Sequence, residues 1–146
     1  MYPSAAFALL LSVLFVAQAD KADWHKQLAA HRETCITEMK LDKDTLKTFK
    51  EIRHFNTLEE FPEIDRCLMK CIIEKEVDQS MDDIDKFMEK RIQFAANMAE
   101  KLPSDKQQAF LQSMETCKSL RGANNCDTVI LFFLCKKENY HKLKHA

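Results

Sequence analysis

Apolar residues recur every three or four positions along the N-terminal half of the chain, and this spacing predicts helices. A first helix is expected over about residues 20–39, and a short second helix over about 42–49, with Asp42 as its N-cap. A third helix begins near Pro62, because proline suits the first helical turn. The apolar stripe of the first helix comprises Trp24, Leu28, His31 and Cys35.

The broadest apolar face lies on a predicted fourth helix over about residues 81–102. Pro103 ends this helix, and Ser104 with Gln107 predicts a capping box that starts a fifth helix through about residue 120. The face of the fourth helix is formed by Ile84, Phe87, Met88, Phe94, Ala95, Met98 and Leu102.

A last helix is predicted over about residues 125–137, after a break at Gly122. Its core, residues 129–134 with the sequence VILFFL, is apolar on every side. A helix without a polar face has to be surrounded by other elements, so this helix is expected to be central and buried.

The first 19 residues have the features of a secretory signal peptide. They contain no charged side chain, they hold an apolar run over residues 5–17, and small residues at Ala17 and Ala19 predict cleavage after Ala19. The run is shorter than the roughly 20 residues of a membrane span. We therefore expect a secreted, extracellular protein whose residues 20–146 form one helical domain.

Composition narrows the fold and the class of partner. Residues 20–146 contain one glycine and two prolines, too few turn-forming residues for a β-rich fold. Lys and Arg number 22 against 23 Asp and Glu, so the chain has no electrostatic preference for nucleic acid. The sequence predicts an all-α fold, a compact bundle of about six helices. It contains no transmembrane segment after the leader, and it indicates no cofactor.

The six cysteines predict three disulfides, because disulfides persist outside the cell. Cys67 and Cys71 lie four apart on one helix face, where their β-carbons are about 5–6 Å apart and too distant to bond each other. Cys126 and Cys135 are separated by about 13.5 Å along the last helix. Excluding these two bonds leaves ten of the fifteen pairings. No metal site is expected, because 69 residues separate Cys71 from His141, far more than in a compact zinc site.

The complete spacing, C-x31-C-x3-C-x45-C-x8-C-x8-C, resembles that of the insect odorant-binding family, which includes pheromone-binding and general odorant-binding proteins. The C-x3-C and the final C-x8-C are its most specific elements, and the resemblance covers residues 20–146. It implies the disulfides Cys35–Cys71, Cys67–Cys126 and Cys117–Cys135. It also implies a carrier that binds small hydrophobic molecules, odorant-like or pheromone-like, and transports them non-covalently through aqueous fluid.

If such a cavity exists, its walls are expected to come from the fourth, fifth and last helices. Trp24 or Phe61 is expected near a rim. A receptor contact or a homodimer is left open as a further partner. The candidate ligand-binding residues are Phe87, Met88, Phe94, Met98, Phe110, Met114, Val129, Phe132 and Phe133.

Other interpretations of the same residues remain. Aromatic and methionine stripes at helical spacing are usually ordinary core, so an alternative is a disulfide-stapled secreted protein with a filled core that binds a protein partner. An enzyme is not expected, since metalloprotease, nucleophile-elbow and phosphate-loop motifs are all missing from the sequence. His31, His141 and His145 are candidates for control of ligand release by pH.

Overall fold

Helices form the regular structure of the described residues, 23–144 of a computed structural model, and no strand occurs among them. The all-α prediction is confirmed. None of the described helices combines the length and hydrophobicity needed to cross a membrane. The expected signal peptide and His145 lie outside the described residues.

Six helices and two short 3-10 turns follow one another along the described chain. The turns precede the second and third helices and span Lys43–Thr45 and Leu58–Glu60. The helices are α1 over residues 23–38, α2 Phe49–Ile52, α3 Glu63–Val77, α4 Ile84–Ala99, α5 Ser104–Cys117 and α6 Asn125–Lys144.

The second helix begins later than the sequence indicated. Asp42 does cap a helical turn, but this is the 3-10 turn at Lys43–Thr45. The α-helix starts after Thr48, whose hydroxyl accepts from the Glu51 backbone N–H at 3.2 Å. The Glu51 carboxylate in turn accepts from the Thr48 N–H at 3.4 Å. This capping box fixes the start of α2, so the predicted helix over 42–49 is wrong in position.

The capping box predicted at the start of α5 is also wrong. Pro103 takes the N-cap position with an extended ψ of 147°, and Ser104 is already helical. The Gln107 amide points back to the preceding helix end, where it donates to the carbonyls of Leu102 at 2.6 Å and Glu100 at 3.3 Å. Gln107 therefore satisfies two carbonyls of the turn between α4 and α5.

The last helix is central, as the all-round apolar sequence predicts. It packs against α3, α5 and the turn at Leu58–Glu60, and Val129, Ile130 and Phe132 are fully buried. It continues to Lys144 rather than ending near residue 137, because no glycine or proline interrupts it after Gly122.

The turn into α6 requires glycine. A β-carbon at Gly122 would lie 2.6 Å from that of Asp127, closer than side-chain atoms can approach. The Gly122 N–H donates to the Thr128 hydroxyl at 2.9 Å. Asp127 forms a salt bridge with Arg66 of α3 at 3.2 Å, so the same turn anchors the start of α6 to α3.

Three disulfides connect four of the helices, and no described cysteine is free. Cys35–Cys71 joins α1 to α3, Cys67–Cys126 joins α3 to α6, and Cys117–Cys135 joins α5 to α6. This is the pairing implied by the family resemblance. Cys67 and Cys71 thus attach α3 to two different helices, and α4 carries no cysteine.

Candidate functional site

A cavity of about 420 Å³ lies among the helices, and all six contribute to its wall. Most of the lining side chains are apolar. Ile52, Ile72 and Met114 are buried on it, whereas Arg53, which follows α2, is exposed. The remaining lining residues are Trp24, Leu28, Phe49, Met69, Ile73, Glu76, Arg91, Phe94, Ala95, Met98, Phe110, Phe133 and Lys136.

Helical periodicity explains how the later helices present these residues. On α4, Arg91, Ala95 and Met98 are spaced by four and three positions, so they share one face. On α5, Phe110 and Met114 lie four apart and face the same way. The cavity is therefore bordered by the same apolar helix faces that form the core. It lies where the side chains of these faces do not pack directly against one another.

A buried cation borders this apolar cavity. The Arg91 side chain is only 6% exposed, and its guanidinium carbon lies 4.2 Å from the centre of the Phe132 ring. Its Nη1 has no hydrogen-bond partner within the described residues, and neither has the buried indole Nε1 of Trp24. Unpaired buried donors cost free energy, so both mark places where an acceptor is lacking.

A second cation lies at the same wall. The Lys136 amine is 5.8 Å from the ring centre of Phe133 and 6.0 Å from that of Phe110, distances at which aromatic faces attract a cation. Lys136 forms no salt bridge within residues 23–144. In the part of the chain that the structure describes, Glu76 of α3 is the one carboxylate that lines the cavity, and it is half-buried.

Desolvation shifts the ionisation of all three groups. Burial lowers the pKa of Lys136 to about 8, helped by the Arg91 charge and opposed by Glu76. Burial lowers the pKa of Arg91 to about 10, again against the effect of Glu76. The pKa of the Glu76 carboxyl is raised by burial, while the charges of Arg91 and Lys136 act in the opposite direction. At neutral pH both cations stay charged at a cost to the fold.

Replacing Lys136 by methionine should therefore stabilise the protein at neutral pH. The folded-state pKa lies below the unfolded value, so between about pH 8 and 10.5 the unfolded chain holds a proton that the folded chain has released. Below this window the charged amine opposes folding. We expect Lys136→Met to raise the free energy of unfolding by about 1–3 kcal/mol at pH 7.

The gain from this substitution should shrink as the pH approaches about 10, because the wild-type amine is then neutral when folded. Urea unfolding of both proteins across this range measures the difference. Lys142→Met is the control, because that lysine is exposed on the same helix. Equal curves for wild type and Lys136→Met would contradict a desolvated amine.

A larger depression, of about 1010 Å³, lies on the outer side of α6. Charged side chains surround it, including Glu59, Lys137, Glu138 and Lys142. Leu58, Leu120, Leu131 and Leu134 also line it, so its wall mixes apolar and charged side chains. The smaller cavity has a lower share of charged side chains and is bordered by all six helices, so it is the candidate site.

The model of the PBP/GOBP family matches residues 17–139, which is most of the chain. The chain belongs to the PBP/GOBP family. The family resemblance carried by the cysteine spacing is thus confirmed. Searches of curated proteins and of solved structures gave no match.

The nine candidate residues of this PBP/GOBP chain separate into two groups. Phe94, Met98, Phe110, Met114 and Phe133 line the cavity. The other four are buried in a core cluster with Ile73 and Val77 and do not line it, because they lie nearer the starts of α4 and α6 than the lining residues of those helices do. These four are Phe87, Met88, Val129 and Phe132.

Of the two residues expected near a rim, Trp24 lines the cavity, whereas Phe61 is fully buried in a separate cluster beside Ile52 and Ile130.

The wall also contains residues that the sequence-based list lacked. The three charged residues of the wall, Glu76, Arg91 and Lys136, were not among the predicted site residues. Arg91 had a visible signal, since it interrupts the apolar face of α4. The histidines His31 and His141 are not among the lining residues.

Proposed function

We propose that this protein is a secreted carrier that holds one small hydrophobic molecule non-covalently and transports it through an aqueous fluid. The observation that carries the proposal is the cavity of about 420 Å³ with mostly apolar walls. Membership of the PBP/GOBP family supports it, because that family consists of binding proteins for small hydrophobic ligands. An odorant or a pheromone is the expected class of cargo, and the expected leader peptide agrees with secretion.

The size and chemistry of the cavity set the expected affinity. Its volume falls in the range of about 300–1,000 Å³ that is usual for small-molecule sites. Burial contributes about 0.8 kcal/mol per methylene, and association and ordering costs offset part of this. Dissociation constants in the micromolar to millimolar range are expected. Apolar walls distinguish a methylene by only about 1–3 kcal/mol, so specificity should be broad.

Filling the cavity should abolish ligand binding while the fold persists. We expect wild-type protein to enhance the fluorescence of the apolar dye N-phenylnaphthylamine. Met98→Trp should weaken dye binding at least about tenfold, because the larger ring occupies space that the ligand needs. Met98 is half-buried on the cavity wall, so the new ring can enter the cavity without displacing the core. Dye titration and far-ultraviolet circular dichroism measure the two effects.

The matched control is Leu120→Trp, which adds the same ring to the outer depression at a residue that is 39% exposed. This variant should bind the dye as wild type does. If Leu120→Trp alone weakened binding, the ligand would occupy the outer depression instead. If wild-type protein bound no dye at all, the carrier proposal would fail and the alternative, a filled-core protein with a protein partner, would be favoured.

A further inference from the structure

The charges on the cavity wall do not balance. Arg91 and Lys136 contribute two positive charges, and Glu76 contributes one negative charge. The exposed Arg53 at the edge adds a third cation, although water can solvate it. A surplus cation inside an apolar wall is unfavourable unless something pairs with it. Among the described residues, the wall therefore lacks one anion.

The two cations of the wall, the buried Arg91 and the half-buried Lys136, are placed by contacts that leave their hydrogen-bond donors unused. The guanidinium carbon of Arg91 lies 4.2 Å from the Phe132 ring centre, a cation–π contact, and its Nη1 has no hydrogen-bond partner among the described residues. Lys136 is likewise placed beside aromatic rings. Within the described residues neither side chain donates a hydrogen bond or forms a salt bridge. Glu76 influences both charges without pairing with either.

We propose that the cavity selects molecules with a carboxylate at one end of an aliphatic chain, the carboxylate being bound by Arg91 and Lys136. This preference rests on the proposed carrier function. The carboxylate oxygens would accept hydrogen bonds from the unused N–H groups of Arg91 and Lys136. The single negative charge of the carboxylate would offset the surplus positive charge of the wall. The aliphatic chain would lie along the apolar wall near Phe94 and Met98. The ligand class is thus that of medium-chain monocarboxylic acids.

Molecules of the same length with other end groups should bind less well, each for a physical reason. An alcohol can accept a hydrogen bond but leaves the surplus charge uncompensated. A primary amine is cationic at neutral pH and is repelled by Arg91 and Lys136. The preference is therefore a matter of end-group charge rather than of hydrophobicity.

The test compares decanoate, decanol and decylamine as competitors of N-phenylnaphthylamine at neutral pH. On wild-type protein, the dissociation constant of decanoate should be at least about tenfold lower than that of decanol, because hydrogen bonds to charged groups account for a difference of this size. Decylamine should bind most weakly. Equal affinities of decanoate and decanol on wild-type protein would overturn the proposal.

Three variants assign the effect to particular residues. Lys136→Met and Arg91→Met should each weaken decanoate about tenfold and leave decanol unchanged or slightly tighter. Lys136→Met is the safer of the two, because the half-buried lysine is easier to replace than the buried arginine. Glu76→Gln should act in the opposite direction. It removes the competing carboxylate and should strengthen decanoate severalfold without affecting decanol.

The outcomes separate this inference from the carrier function. If the dye and decanol bind but decanoate shows no advantage, the carrier proposal stands and the carboxylate preference is wrong. If Lys136→Met weakens the binding of decanoate and of decanol equally, the lysine affects the shape of the cavity and does not interact with the charge of the ligand. This result also overturns the inference. If neither the dye nor any competitor binds, both proposals fail. A decanoate advantage that Lys136→Met removes and Glu76→Gln increases supports both.

Discussion

Replacing Cys67 and Cys126 together by alanine is expected to lower the free energy of unfolding by about 4 kcal/mol. This bridge spans 59 residues, the longest separation of the three, so its loss releases the most conformational entropy in the unfolded chain. A loss of this size is a large part of a typical total of about 5–15 kcal/mol. Urea unfolding without reductant, with far-ultraviolet circular dichroism as the readout, measures the change.

The comparison variant replaces Cys117 and Cys135, whose separation is 18 residues. Its expected loss is about 3 kcal/mol, because a shorter loop restricts the unfolded chain less. Both variants remove one bridge to α6, so the difference reports mainly on loop length. Equal losses, or a larger loss for the shorter loop, would contradict the chain-entropy explanation and point to packing around the buried Cys117.

Phe132→Ala is expected to cost about 3–5 kcal/mol of stability. Phe132 is fully buried in the core cluster with Phe87 and Met88, so its removal leaves a space that the neighbours cannot fill. The substitution also removes the ring on which the Arg91 guanidinium stacks at 4.2 Å, and the buried charge loses a favourable contact. Thermal and urea unfolding of the variant measure the loss.

The neighbouring substitution, Phe133→Ala, is the matched control. Phe133 is half-buried and borders the cavity, where it packs edge-to-face with Phe61 at a ring-centre distance of 6.4 Å. Its removal should cost only about 1–2 kcal/mol, because its cavity side has fewer packing partners to lose. It should enlarge the space open to ligands. If Phe133→Ala destabilised the protein as much as Phe132→Ala, residue 133 would be core and the cavity smaller than described.

Much of the architecture followed from local patterns. The apolar stripes predicted the long helices, and Gly122 and Pro103 marked breaks that the structure contains. Helix ends were less predictable, because several polar side chains competed for the same cap. Thr48 with Glu51, rather than Asp42, determines where α2 begins. Which residue serves as the N-cap depends on the turn that the surrounding packing allows, and the local sequence alone does not determine that turn.

The cavity wall was predictable only where a helix has one apolar face. Phe94 and Met98 lie on such a face of α4 and line the cavity. In the all-round apolar segment of α6, no polar residue distinguishes Phe132 from Phe133, although one is core and the other borders the cavity. The contributions of α1, α2 and α3 depend on how the chain folds back, which the spacing of residues within one helix cannot reveal.

The distribution of the disulfides has a mechanical consequence for the cavity. A displacement of α1, α3, α5 or α6 is transmitted through a disulfide to another helix of the wall. In contrast α4, like the short α2, has no disulfide and is held by the backbone, by packing and by polar contacts such as the salt bridge between Asp85 and Arg121. The disulfide-linked helices thus form one connected unit, and α4 is the long helix that can shift without moving another helix through a covalent bond. Arg91 lies on α4, and Lys136 lies on α6 within the connected unit. A carboxylate bound by both residues would be a non-covalent cross-link between α4 and that unit, present only while a ligand is bound.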